Sequence, residues 1–455
     1  MQKIVWIMLL VAGVAGCGKK DFLNAKPASD LFIPTTLEDF QSILDRDAIN
    51  ETPNLGELSS DSYYLFTYTF WQGITPKERN AYIWAADTYQ GTGNIGDWNV
   101  PYQQVFAANV VLDGIDKVPV TSTNQQQWSA VKGAAYFVRA YAFYNLAQIF
   151  APVYDSATAA ADLGIPLRLT PNAEEPSIRA SVKATYDQIL SDLANAYPLL
   201  PADIPLNNRN RPSQPAVMAM LARVYLGMRV YDKAGTSADN CLKLYNTLID
   251  YNTVLSITPP FPRPNMEVLY QSRMLSSSNN VLKSTASNCV IDSGLYGSFD
   301  NNDLRRQLFF NINGAGLPNV KNTYTGSFLC FSGLATDEMY LTRAECYARA
   351  GNTQAAMSDL NTLLQNRWKT GSFTNLTATG PAQALALVLG ERKKELFFRG
   401  LRWTDLRRLN KDGYNIVLTR VLNGQIYQLL PGDLRYVFPI PPDVITLSGI
   451  AQNPR

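Results

Sequence analysis

Leu341-Thr342-Arg343-Ala344-Glu345-Cys346-Tyr347-Ala348-Arg349-Ala350-Gly351-Asn352-Thr353-Gln354-Ala355-Ala356 reads as two helices joined by a tight turn. The periodicity predicts helices over Thr336–Ala350 and Thr353–Trp368, hinged at Gly351-Asn352. A second stretch repeats the pattern: Leu221-Ala222, Tyr225-Leu226, a turn, Tyr231 and Ala234. Each is L/A-x-x-Y, a turn, then an alanine, which is the spacing of tetratricopeptide helix pairs. Small residues let the two helices approach, and a large aromatic fills the space beside them. The alternative is any antiparallel helix pair.

Working outward, Gln214–Met228 reads as a helix with Asp232–Tyr251 as its antiparallel mate. Trp128–Phe150 is the clearest helix, with apolar residues on most sides, so it is buried on most sides. Its expected partner is Ser181–Tyr197, which Pro198 helps to end. Trp98–Val118 and Gln383–Arg399 read as further helices, with Gly400 suited to a left-handed position after the second. Thr35 or Thr36 caps a short helix opening at Thr36–Phe40. Residues 50–97, 151–176, 201–215 and 258–311 read as irregular, with a short extended piece at Gly164-Ile165-Pro166-Leu167, and Tyr436–Arg455 reads as extended and proline-rich. The fold class expected is mainly α: tetratricopeptide-like helix pairs with long irregular loops and a few short strands.

Composition narrows the chemistry. An apolar content of 46% with 17% charged residues fits a folded globular chain. A net charge of +2 supplies no field to steer nucleic acid. The chain holds no histidine, which removes Ser-His-Asp and Cys-His catalysis and histidine zinc sites. No C-x-x-C occurs, so no metal and no cofactor is expected. Carboxylate chemistry, lysine chemistry or pure binding remain.

The first residues carry an address. Met1-Gln2-Lys3 precedes an uncharged run from Ile4 to Gly16, too short to span a bilayer but right for a signal-peptide core. It ends Val14-Ala15-Gly16-Cys17, which resembles the lipobox of bacterial lipoproteins, where cleavage precedes the cysteine and its sulfur is lipidated. Several acyl chains (palmitate among them) on one residue anchor stably where one would not. Residues 1–16 are thus expected to be removed, 17–30 to form a tether, and 31–455 to form one domain with an N-terminal part of about 31–230 and a C-terminal part of about 231–455. In that compartment disulfides are permitted; Cys241, Cys289, Cys330 and Cys346 allow three pairings, among which the sequence does not choose.

Glu391-Arg392-Lys393-Lys394-Glu395-Leu396-Phe397-Phe398-Arg399-Gly400-Leu401-Arg402-Trp403-Thr404-Asp405-Leu406-Arg407-Arg408 is the densest run of charge. Glu395 and Arg399 stand i,i+4 in the favourable order, and Asp405 stands three residues from both Arg402 and Arg408. This mesh reads as a structural clamp for a helix pair, involving Glu391, Glu395, Arg402, Trp403 and Asp405. The run resembles the ER-x-x-E…G-x-R-W-x-D-L-x-R motif of the SusD/RagB family, outer-membrane nutrient-binding lipoproteins of the Bacteroidetes. Cys17 with Lys20-Asp21-Phe22-Leu23 and Pro27, Trp98…Tyr102…Asn109, Arg139-Ala140-Tyr141, Gly164-Ile165-Pro166-Leu167, Arg211-Pro212-Ser213, Pro439-Ile440-Pro441 and Gln452-Asn453-Pro454 extend the resemblance over residues 17–454. Two departures stand out: Gly18 follows the cysteine where surface-directing signals usually place acids, Asp21 alone serving here, and Arg455 stands where many members end in Gly-Tyr.

The resemblance implies a non-catalytic surface protein that captures an oligosaccharide and passes it to a SusC-like TonB-dependent β-barrel, its repeat helices facing the barrel. It would sit at the outer membrane, lipid-anchored through Cys17 and facing the extracellular side. Aromatic residues fill 11 of the 40 positions from Tyr63 to Tyr102. Sugar rings stack their C–H faces on such side chains, so Tyr64, Tyr68, Trp71 and Tyr89 are the candidate ligand residues, while Trp98 and Tyr102 are expected to pack the helix. A RagB-like oligopeptide receptor is the alternative on the same fold. A surface glycan-degrading enzyme would need a carboxylate pair; Asp61, Asp87 and Asp97 lie in the aromatic segment, but their spacing does not support it.

Overall fold

The computed structural model describes residues 33–455, apart from positions 259, 262, 279, 283–287 and 322–323. The signal segment, Cys17 and most of the tether lie outside the described residues. Ten helices build the frame: α1 (Leu37–Leu44), α2 (Gly96–Gly114), α3 (Gln125–Phe150), α4 (Val182–Ala196), α5 (Gln214–Gly227), α6 (Tyr231–Leu244), α7 (Thr336–Arg349), α8 (Thr353–Gln365), α9 (Pro381–Glu395) and α10 (Arg402–Lys411). Helix α2 packs on α3, α3 on α4, α5 on α6, α6 on α7, and α7 on both α8 and α9. The two repeat pairs are therefore neighbours in space, although residues 245–335 separate them in the chain. Their small residues act as the pattern implies. Ala222, Ala234, Ala344 and Ala356 are fully buried, and a Cβ on Gly235 of α6 would meet the Cβ of Cys346 on α7 at 2.9 Å. Among the described residues no helix is long and apolar enough to cross a membrane.

Short strands pair in six two-stranded sheets among the described residues. Most tie the irregular segments together: Tyr63–Leu65 runs antiparallel to Cys289–Ile291, and Glu51–Thr52 runs parallel to Arg273–Met274. The expected extended piece is there, Leu163–Pro166 pairing with Arg179–Ser181. The largest hydrophobic cluster extends from Leu37 to Ile450, and a second packs α7, α8 and α9 together.

Several local expectations differ. The segment 50–97 is not irregular throughout; it holds three short helices, Leu55–Leu58, Tyr68–Gly73 and Pro76–Tyr82. They are too short to show a period; Thr67 caps the second, and Thr75 and Glu78 form a reciprocal capping box on the third. Helix α9 stops at Glu395, four residues before the expected end, because Phe398 (φ +54°) and Gly400 (φ +71°) both turn left-handed. Helix α6 stops at Leu244 rather than Tyr251. The C-terminal stretch carries a helix at Pro442–Ser448. Cys241, Cys289, Cys330 and Cys346 are all buried and unpaired, so none of the three pairings is made.

The end of α3 shows what the C-terminal motif does. The last carbonyls of a helix lack intrahelical donors. Here Gln148 O and Ala151 O accept from the Arg407 guanidinium, Ile149 O from the Phe438 amide at 2.9 Å, and Phe150 O from Asn453 Nδ2 at 2.9 Å. Asn453 also donates to Phe438 O at 2.8 Å. Asn453→Ala leaves two buried carbonyls without donors and is expected to lower unfolding free energy by about 2 kcal/mol, read from the urea midpoint; an unchanged midpoint would refute this capping role.

Candidate functional site

The aromatic segment splits into a buried layer and an exposed one. On the strand Tyr63–Leu65 alternate residues face opposite ways: Tyr63 and Leu65 are buried, while Tyr64 is half-buried and Phe66, just beyond, is 45% exposed. Thr67 then caps the helix Tyr68–Gly73, accepting from the Phe70 amide at 3.1 Å, and none of that helix's residues is buried. Its Tyr68 and Trp71 rings stack with centroids 5.4 Å apart and planes at 21°. The Trp71 indole N–H donates to Arg79 O at 3.2 Å, which fixes the ring's edge. Tyr68 is 37% exposed, and neither Tyr64 nor Tyr68 spends its hydroxyl on a partner among the described residues. The structure thus brings Tyr64, Tyr68 and Trp71 to one short strand-to-helix surface. Phe66 belongs with them; the strand alternation that selects Tyr64 selects it too.

Tyr89 does not join this surface. It is 2% exposed, and its hydroxyl donates to Pro439 O at 2.9 Å, so it fastens the C-terminal segment to the core. Tyr63, Tyr82, Trp84 and Trp98 are likewise buried. The guanidinium of Arg420 lies 4.3–5.3 Å from the centroids of Tyr63, Tyr82 and Trp84 and donates to Tyr63 O and Ser60 O. Much of the local aromatic excess is therefore the packed floor of the segment.

The three acids of the aromatic segment named from the sequence, Asp61, Asp87 and Asp97, are all engaged. Asp61 accepts a bidentate pair from Arg402 at 2.6 and 2.8 Å and a third contact from Lys393 at 3.0 Å, and these cations hold it well below the usual carboxylate range despite its burial. Asp97 is buried against Lys77 at 3.0 Å and accepts from the amides of Asn54 and Leu55. Asp87 accepts from the amides of Tyr89 and Gln90.

The C-terminal motif is a clamp, with other partners than its spacing suggests. Glu395 does not pair with Arg399, since the helix ends between them. It bridges Arg305 at 2.9 Å and Arg367 at 2.7 Å, and Arg399 reaches Asp337 at 2.7 Å. Glu391 meets Arg305 at 2.6 Å. Asp405 pairs with Arg408 at 2.8 Å as expected, but its second partner is Arg392 at 2.9 Å, while Arg402 goes to Asp61. Trp403 is buried with its ring against Tyr436 and Phe438. Carboxylate oxygens of Glu267, Asp337 and Glu395 lie within 4.8 Å of one another. Arg305, Arg367 and Arg399 are interleaved with them, and their guanidinium groups meet this charge.

Comparison with known proteins bears on this architecture. A family profile described as "Starch-binding associating with outer membrane" matches residues 21–226, and one described as "SusD family" matches residues 336–455. Similar solved structures include a SusD superfamily protein of Bacteroides thetaiotaomicron (TM-score 0.72, 20% identity, covering 92% of this chain and 100% of that one). Another is a SusD-like carbohydrate-binding protein of Bacteroides vulgatus (TM-score 0.68, 19% identity, 91% and 97% covered). A third is a laminarin-binding SusD-like protein (TM-score 0.63, 17% identity, 91% and 97% covered). Comparison with curated proteins gives no significant match.

Burial pushes Glu57 and Asp337 up to about 7. Between the ordinary carboxylate range and pH 7 the native chain therefore holds protons that the unfolded chain releases, so these groups lower stability as pH rises through that window. Glu395 and Asp405 are also desolvated, but their arginine partners win and hold both at about 2; their stabilisation is lost as pH falls from the ordinary range toward 2. A stability maximum near about pH 4–5 is expected. Melting temperatures measured across that range should fall on its alkaline side, and Glu57→Gln and Asp337→Asn should each flatten that fall. A melting temperature that climbs steadily to pH 8 would contradict the assignment.

Proposed function

The chain belongs to the SusD/RagB family, and from that premise we propose that it is a cell-surface receptor that captures an oligosaccharide and passes it to a SusC-like TonB-dependent β-barrel without chemical change. The observation that carries this reading is the stacked Tyr68–Trp71 pair on a capped helix with no buried residue. With Tyr68 37% exposed and Trp71 only partly buried against the core, part of the burial worth ~1.5–3 kcal/mol for a large apolar side chain is forgone, and a ligand's apolar C–H faces would restore it. The hydroxyls of Tyr64 and Tyr68, without a partner among the described residues, stand ready for sugar hydroxyls, and Phe66 extends the surface. Family association with the outer membrane supports attachment there, with lipidated Cys17 as the proposed anchor and the repeat helices as the face toward the barrel.

A hydrolytic role is disfavoured by the engagement of Asp61, Asp87 and Asp97 in ion pairs and amide caps. An oligopeptide receptor on the same fold differs only in ligand. Glycan and peptide arrays probed with the soluble chain starting after Cys17 separate these readings. Glycan binding weakened about tenfold or more by Trp71→Ala is the expected outcome. Peptide binding alone would move the protein to the oligopeptide branch, and glycan binding indifferent to both Trp71→Ala and Tyr68→Ala would remove the platform from the site.

A further inference from the structure

Helix α2 carries a second exposed ring. Trp98, Tyr102 and Phe106 follow one another at four-residue steps along one face. Trp98 is buried and Tyr102 half-buried, but Phe106 stands 51% exposed. This ridge forms a wall of two cavities. One, of about 270 Å³, lies between the ridge and the loop 166–177; the other, of about 460 Å³, lies between the ridge and residues 46–49.

The first cavity has fixed walls. The Tyr102 hydroxyl donates to Pro166 O at 2.9 Å, and Asn109 Nδ2 donates to Arg168 O at 3.0 Å and Thr170 O at 3.1 Å. Asn109 is itself held by Arg139, which is paired with Asp192. Arg168 folds the loop around its own guanidinium, donating to Glu175 O and Ser177 Oγ. Polar groups with unused valences face the same ground: the Gln103 amide and the Arg46 guanidinium make no hydrogen bond among the described residues, and Asn172 has its Nδ2 free. A half-exposed ring between two recesses, with amide and guanidinium donors on either side, matches the demands of a saccharide whose C–H face covers the ring and whose hydroxyls project to both sides.

We propose that this groove is a second oligosaccharide site, separate from the Tyr68–Trp71 platform, in which one sugar ring lies on Phe106 and its neighbours enter the two cavities. It rests on the carbohydrate reading above, but not on the platform. Calorimetric titration of the mature chain with maltoheptaose, laminarihexaose, mannohexaose and xylohexaose tests it, using the wild type, Phe106→Ala, Gln103→Ala and Trp71→Ala. Phe106 is half-exposed, so its loss should leave the melting transition nearly unchanged. For at least one probe the expected result is two sites per chain in the wild type. Phe106→Ala should remove one site, Gln103→Ala should weaken that site by about tenfold, and Trp71→Ala should leave it intact. A single wild-type site that Trp71→Ala abolishes and Phe106→Ala leaves alone would overturn the groove and keep the platform. A site lost only in Phe106→Ala would keep the groove and remove the platform. No binding of any probe by the wild type would overturn the groove as an oligosaccharide site.

Discussion

Buried arginines paired with buried carboxylates hold this fold in register. Ten arginines are buried among the described residues, and seven of them meet an acid: Arg139 with Asp192, Arg223 with Glu338, Arg305 with Asp303, Glu391 and Glu395, Arg367 with Glu267 and Glu395, Arg392 with Asp405, Arg399 with Asp337, and Arg408 with Glu345 and Asp405. Taking such charges out of water costs several kcal/mol per ion, which the pair recovers only with good geometry. Net stabilisation is therefore not their main effect. A misplaced partner leaves an uncompensated buried charge, so each pair penalises every other arrangement of the elements it joins.

Those elements are the ones that hydrophobic patterning joins weakly. The described part of residues 245–335 carries no helix longer than Leu304–Phe309, yet Glu267 and Arg305 from this stretch enter the same cluster as Arg367 after α8 and Glu395 at the end of α9. Arg223 on α5 fixes the start of α7 through Glu338, which seats one repeat pair on the next. The lattice also reaches the exposed aromatic surface. Asp61, two residues before the strand that leads to the platform, is gripped by Arg402 and Lys393 of the C-terminal motif. Arg420 supports the same strand from beneath by lying on the rings of Tyr63 and Tyr82. The exposed helix Tyr68–Gly73 thus stands on a base fixed by charge on one side and by ring packing on the other.

The helices were legible because their information is local. Alanine at fixed offsets, Tyr225 and Tyr347, and Gly351 at φ +84° report a close-packed pair whatever surrounds them. Partners in the charged motif were not legible in the same way. Spacing offered Arg399 to Glu395 and Arg402 to Asp405, but the chain turns left-handed at Phe398, and the true partners Arg305, Arg367 and Asp61 lie up to hundreds of positions away. The site was half legible for a related reason. Period-two alternation separates Tyr64 from Tyr63, but nothing local separates Tyr89, bonded to Pro439, from the exposed Tyr68. Composition counts rings without saying which of them face the core.

The absence of histidine and the use of acids in ion pairs have a common consequence for function. Asp61, Asp97, Glu395 and Asp405 are all held by cations. Moving a proton through any of the paired acids would cost the lattice a salt bridge, so their chemistry is spent on shape. What the surface retains uncommitted is of another kind: the rings of Phe66, Tyr68 and Phe106, tyrosine hydroxyls, and the amide of Gln103. These groups are weak individually and need no proton transfer. Groups of this kind bind by covering apolar faces and sharing hydrogen bonds, with no covalent or proton-transfer step.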